Sequence, residues 1–233
     1  MMNSYLEEIA QFCIRNRVSS TEVADALNKS GVHGEFHPID DSHYAVGRIK
    51  CVFTANKSNF EMHSQIEKVE PNDVVVIFTS NCDNFAIFGE LVAKYLLLYK
   101  QASGVVVFGL IRDKAAVTRN GYRIWSQGFT PLGCNNTQVE NFDPEKADSI
   151  RKKFEGGIAI CDAGGVTLIE SNLVNSETLE RIKEIEALED LWFYCLDVLK
   201  WSTYEIVCEK KYLKETSEIP RALLKHIGTR AEQ

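Results

Sequence analysis

Two unbroken runs of β-branched and aromatic residues, Val74-Val75-Val76-Ile77-Phe78 and Val105-Val106-Val107-Phe108, bracket a helical segment from Gly89 to Lys100. Runs of this kind read as strands buried on both faces, and a helix between two of them reads as a parallel βαβ crossover. In such a unit the helix runs antiparallel to the strands. Its N-terminus therefore lies near the C-terminal ends of both strands, the rim where open α/β sheets usually bind ligands. Gly89-Glu90 opens this helix and Arg112-Asp113 closes the second strand. The two pairs are distant in sequence and should meet at that rim.

The flanking sequence surrounds this unit with further elements. Residues 4–18 pattern as an amphipathic helix, and Ser19-Ser20-Thr21-Glu22 supplies the cap and acidic first turn of a second helix ending near Lys29-Ser30-Gly31. Residues 44–54 alternate apolar and polar as a half-buried strand does, and 58–68 read as helix. After Asp113 a short helix over Lys114–Thr118, a strand over 121–126 and an irregular polar stretch over 133–144 are expected. Gly157–Ile169 reads as a hairpin turning at Asp162–Gly165. From Ser176 to about Tyr212 Leu179, Ile182, Ile185, Leu188 and Leu191 recur at helical spacing, and Pro220 opens a last helix. A main domain over 1–199 with a C-terminal helical extension over 200–233 is the simplest division.

The net charge of −7 and the lack of any Lys/Arg-rich run argue against a nucleic-acid-binding face. No apolar run approaches the ~20 residues that span a bilayer, and the acidic, amphipathic start resembles no targeting peptide. A cytoplasmic protein with neither nucleic-acid nor membrane partner is expected. The seven cysteines form no C-x-x-C pair and read as reduced, mostly buried thiols. Cys82, in the loop before Gly89, could be accessible, but a nucleophilic role needs an activating base and no histidine is near it in sequence. The five histidines have no zinc-site spacing.

At the rim, Arg112 offers a rigid fork of donors suited to a carboxylate. Asp113 offers hard oxygen to Mg²⁺ or Mn²⁺, and the N–H groups from Gly89 to Val92 open a helix end that favours an anion. Glu90 could hold a metal-bound water or act as a base. Together these groups suit a 2-oxo acid such as pyruvate, with a metal polarising the keto oxygen. On residue types alone the plainer reading stands ahead: Arg-Asp as a surface ion pair, and Glu90 answering the helix dipole.

The motifs also carry a family resemblance. Gly89-Glu90-Leu91-x-Ala93, Ser103-Gly104-Val105-Val106, Gly109, Arg112-Asp113, Gly121 and Gly128-x-Thr130-Pro131 resemble the 4-hydroxy-4-methyl-2-oxoglutarate aldolase family, which also contains the regulator of ribonuclease E activity. Ser20-Thr21, Asp25-Ala26-Leu27 and Asp162-x-Gly164-Gly165-Val166 extend the likeness over roughly residues 18–190. The resemblance implies an α/β fold: a three-layer, swivelling-domain-like β/β/α sandwich, assembled as a homotrimer or hexamer. It implies metal-dependent (class II) aldol cleavage or decarboxylation of a short 2-oxo acid to pyruvate. Carried over by position, Arg112 binds the carboxylate, Asp113 ligates Mg²⁺ or Mn²⁺, and Gly89, Glu90, Leu91 and Val92 form the substrate-binding helix start. Glu90 stands where active members have an acid and the ribonuclease regulator has none. Two alternatives remain: a non-catalytic, protein-binding regulator of a ribonuclease, or a same-fold enzyme acting on another carboxylate such as a sugar acid. The chain departs from the pattern in having 21 residues between Glu90 and Arg112, one more than usual. The turn Lys100–Ser103 is the expected site of the extra one.

Overall fold

The computed structural model describes residues 4–224, which divide into two compact units between Ser176 and Glu177. The first unit contains helices α1 (Ser4–Asn16), α2 (Ser20–Ala26), α3 (Phe60–Ile66), α4 (Glu90–Lys94), α5 (Lys114–Arg119) and α6 (Pro144–Phe154). Its strands are β1 (His37–Pro38), β2 (Ala45–Ala55), β3 (Asp73–Ser80), β4 (Gly104–Ile111), β5 (Ile124–Phe129), β6 (Ile158–Asp162) and β7 (Gly165–Ile169). All seven join one sheet in the order β1-β5-β4-β3-β2-β6-β7. Strands β2 to β5 are mutually parallel, while β1, and the hairpin β6–β7 on β2, pair antiparallel.

Side chains alternate across a strand, so each parallel strand feeds two cores. On one face Val75, Ile77, Val105 and Val107 pack against Val92, Ala93 and Leu96 of the crossover helix. On the other, Val74, Val76, Val106 and Trp125 pack against Ala159, Cys161, Val166 and Leu168 of the hairpin. The hairpin thus curls over as a second β layer, and the expected α/β fold with its central β3–α4–β4 unit is present. The sheet nearly closes on itself: the Trp125 indole N–H of β5 donates to the carbonyl of Asp162 at the end of β6, 2.8 Å away. Asp162 also accepts from the backbone N–H and hydroxyl of Ser20, at 2.6 and 2.7 Å, which ties α2 to this seam. Ser19 caps α2 with a complete capping box, as its sequence predicts.

Strand β2 departs from its pattern. It is buried almost throughout, because it lies between β3 and β6 in the middle of the sheet. Its charged residues, which gave the alternation, are answered by partners: Arg48 by Asp73 at 2.9 Å and Lys50 by Glu155 at 2.7 Å. Helix α6 occupies a segment with no strong apolar period, where only Ala147 and Phe154 are buried. Asp143 starts it by accepting from the N–H groups of Glu145 and Lys146, with Pro144 in the first turn and Arg151, Lys152 and Lys153 in the last.

After α4 the helix widens into a π turn over Tyr95–Tyr99, with the Lys100 N–H donating to the Tyr95 carbonyl at 2.9 Å. A π turn takes in one residue more than an α turn, so the helix itself has room for the additional residue expected in Lys100–Ser103.

At the start of β6, a Cβ added to Gly157 would lie 2.2 Å from the carbonyl oxygen of Ile169. The Phe154 carbonyl oxygen would be 3.0 Å away; both oxygens are backbone, and Gly157→Ala is expected to cost about 1–3 kcal/mol. Urea unfolding should show a lower midpoint at unchanged slope; an unchanged midpoint would refute the clash.

The second unit is built on α7 (Ser176–Asp197) and α8 (Arg221–Leu224), with a π turn over Tyr204–Cys208 and a 3₁₀ turn over Lys211–Leu213. Leu191 and Cys195 of α7 pack against Trp201, Ile206, Tyr212 and Ile219. The helix expected to reach Tyr212 ends at Asp197, and Lys200 takes a left-handed φ of 58°. The break lets Trp201 fold back into this small core, where the Lys211 ammonium lies 4.6 Å from its ring centre. Among the described residues no helix is long and apolar enough to cross a membrane.

Candidate functional site

The loop from β3 to α4 is held as an extra strand beside β4. Ala86 bridges both Leu110 and Gly133, the Ile87 N–H donates to the Leu110 carbonyl at 2.8 Å, and the Arg112 N–H donates to the Phe88 carbonyl at 3.0 Å. Strand β4 shifts register against β5 between Val107 and Leu110, a bulge of the kind that re-aims the residues after it. These constraints bring Gly89 and Glu90 to Arg112 and Asp113, as the crossover geometry requires.

The contact is close. The Glu90 N–H donates to Asp113 Oδ2 at 3.0 Å, and Arg112 Nε lies 3.7 Å from the same oxygen. A Cβ on Gly89 would lie 2.0 Å from Asp113 Oδ2, so no larger residue leaves that carboxylate in place. Gly89 has extended backbone angles, and the requirement is one of space. Gly133 plays the same part behind Arg112, where a Cβ would lie 2.4 Å from Nη1. The Arg112 and Asp113 side chains remain about half exposed, at 49% and 43%, on a cleft of about 200 Å³.

Asn59 and His63 of the α3 segment also line this cleft, beside Gly89, Leu91, Arg112 and Asp113. Asn59 occupies the N-cap of α3 and Asp113 the N-cap of α5, yet neither side chain caps its own helix. Such residues ordinarily do so. Asp113, in a left-handed conformation at φ 61°, turns to Glu90 instead. Asn59 donates through Nδ2 to the Ile87 carbonyl at 2.9 Å, and its buried Oδ1 has no partner. A buried acceptor left unpaired is costly. Sequence reasoning passed over Asn59 and His63; the signal was the Ser58-Asn59 pair ahead of the helix, which reads as an ordinary cap.

The other expected residues divide. Leu91 is exposed at the mouth and Val92 is buried beneath it. Glu90 contributes its N–H, but its carboxylate accepts from Asn120 Nδ2 at 3.1 Å, at the C-terminal end of α5. The first free N–H of the helix is therefore committed to Asp113 instead of an incoming anion.

For a metal, the chain offers one carboxylate here: Asp113 Oδ1 makes no hydrogen bond, and no cluster of three or more His, Cys, Asp or Glu occurs among the described residues. A single carboxylate with space around it suits Mg²⁺ or Mn²⁺, which keep several waters, and does not suit Zn²⁺, which takes three or four protein ligands.

The family described as RraA-like (Aldolase/RraA) matches residues 20–168, which include every residue of this cleft. Solved structures share the fold at low identity. An uncharacterized protein from Pseudomonas syringae pv. tomato str. DC3000 aligns with a TM-score of 0.63 at 19% identity, covering 86% of this chain and 96% of its own. Streptomyces coelicolor RraAS2, an unusual member of the RNase ES inhibitor RraA protein family, gives 0.63 at 20% identity, covering 78% and 94%. The RNA-processing inhibitor RraA from Thermus thermophilis gives 0.52 at 18% identity, covering 64% and 91%.

Proposed function

Because the chain belongs to the RraA-like (Aldolase/RraA) family, we propose that its cleft binds a short 2-oxo acid and cleaves a C–C bond to release pyruvate, with Mg²⁺ or Mn²⁺ held at Asp113. The observation that carries this reading is the turning of two N-cap side chains, Asp113 and Asn59, away from their helices at a cleft that also holds Arg112. Arg112 takes the substrate carboxylate through its fork of N–H groups. Gly89 keeps the space in which the Asp113 carboxylate sits. Glu90, released from Asn120 by rotation of its side chain, takes the substrate hydroxyl proton as the bond breaks. A divalent cation at Asp113 supplies Lewis-acid stabilisation of the charge that develops on the keto oxygen.

The test is release of pyruvate from oxaloacetate and from 4-hydroxy-4-methyl-2-oxoglutarate by purified protein with Mg²⁺ or Mn²⁺. EDTA should abolish the release and added metal restore it. Turnover that persists unchanged in EDTA would sink the metal-dependent reading, and a sugar-acid panel at fixed metal separates the same-fold alternative.

The chain also fits a homo-oligomer, trimer or hexamer, through the exposed stripe Leu91, Tyr95, Leu98 and Tyr99 beside the cleft mouth. A second reading, a protein-binding regulator of a ribonuclease, is favoured by the exposed apolar side chains Phe193, Leu196, Tyr204 and Val207 of the second unit. It predicts a pull-down partner lost on Phe193→Ser with pyruvate release absent.

A further inference from the structure

Cys82 and Cys134 stand apart from the other cysteines. Burial raises the thiol pKa of Cys13, to about 12, and also those of Cys51, Cys161 and Cys195, which makes them inert. Cys82 lies in the loop ahead of Gly89, only 4% exposed, and its thiol donates to the Ser80 carbonyl at 3.4 Å. Cys134 follows Gly133, the residue packed behind Arg112, and its N–H donates to the Ala86 carbonyl at 3.0 Å. The two side chains pack on the same apolar core, close enough for each to influence the other's ionisation. Each therefore sits on a different chain segment of the cleft wall, and the two segments meet at Ala86.

We propose that Cys82 and Cys134 are a redox pair, converted by hydrogen peroxide into a disulfide that joins the loop ahead of Gly89 to the segment behind Arg112. The neighbouring Cys134 thiol, and after it the backbone around Lys57 and Ser80, lower the Cys82 pKa, against burial and the nearby Asp83 carboxylate. The Lys57 ammonium lies over the Phe85 ring, at 5.4 Å, on the same loop. The lowered pKa favours the thiolate, and thiolate is the form that reacts.

The Cys82 thiolate attacks one peroxide oxygen and the O–O bond breaks. Sulfur is oxidised to sulfenic acid, and the departing hydroxide is protonated to water. The Cys134 sulfur then attacks the Cys82 sulfur, the S–S bond forms and the S–O bond breaks. The second hydroxide leaves as water with the Cys134 proton. Two thiols and one peroxide thus give one disulfide and two waters, and the small oxidant suits a sulfur that larger disulfides would reach poorly.

The test treats full-length reduced protein with hydrogen peroxide and maps its peptides without reduction. The expected product is a single linked pair, Cys82 with Cys134, lighter by two hydrogens and restored by dithiothreitol. Amide exchange should slow in 84–92 and 132–136 of the oxidised protein. Cys134→Ser should stop the reaction at a sulfenic acid on Cys82, trapped by dimedone. Links between other cysteines, or oxidation of the exposed Cys208 while Cys82 and Cys134 stay reduced, would overturn the proposal. Unchanged exchange in both segments would overturn the coupling to the cleft. The wild-type map decides the matter even if the variant fails to fold, and none of these readings depends on pyruvate release.

Discussion

Arg112→Ala is expected to lower kcat/KM for pyruvate release by about two to three orders of magnitude while leaving stability within about 0.5 kcal/mol. The asymmetry comes from where the guanidinium sits. Its side chain is 49% exposed, and its 3.7 Å approach to Asp113 is too long to be a strong hydrogen bond. The folded chain therefore loses little when it is removed. A bound carboxylate loses a charged, forked partner, worth about 3–4 kcal/mol at roughly 1.4 kcal/mol per tenfold in rate. Arg112→Lys keeps the charge and loses the fork, so it should recover only part of the activity. Steady-state kinetics beside urea unfolding of the same preparations checks both halves. Wild-type turnover in Arg112→Ala would remove this residue from the reaction.

The largest effect on stability is expected at Arg48→Ala, at about 3 kcal/mol. Arg48 and Asp73 are register partners on β2 and β3, and the Asp73 side chain is only 2% exposed. Asp73 accepts from Arg48 Nε and from the Glu70 N–H, both at 2.9 Å. Removing the arginine leaves a buried carboxylate with one donor. Asp73 and Glu70 in turn favour the charged guanidinium and raise its pKa, with the Asp73 hydrogen bond the larger influence. Replacing both members, as Arg48→Met with Asp73→Leu, should recover most of the loss, because the cost arises from the orphaned charge. Chemical denaturation of the two singles and the double measures the coupling. A single variant as stable as wild type would show that water reaches Asp73 freely.

The central unit and the convergence of Gly89 with Arg112-Asp113 were legible in the sequence, because a crossover between two fully apolar strands has few ways to fold. Strand β2 was legible in place and misread in depth. Arg48 and Lys50 look like an exposed face until Asp73 and Glu155 are seen opposite them. Helix α6 was hidden because its burial rests on Ala147 and Phe154 alone, while its cap at Asp143-Pro144 is plain in hindsight. Asn59 was hidden for the opposite reason: it occupies a position where its usual work explains it completely. Only in the folded chain is it plain that it does not do that work, and that Glu90 meets the site with its backbone while its carboxylate rests on Asn120.

The seam that joins Trp125 and Ser20 to Asp162 sets a condition on how the chain reaches its native state. Ser20 is separated from its partner by 142 positions, and Trp125 by 37. During synthesis α2 must wait for the hairpin before it has anything to dock against, and until then Trp125 and the apolar face beside it lack their cover. Pairings this remote close late and slowly, because the loop entropy is lost before the contacts form. Chains stopped short of Asp162 should therefore collect as sticky, unclosed sheets, and folding of the whole should be governed by the arrival of that one turn.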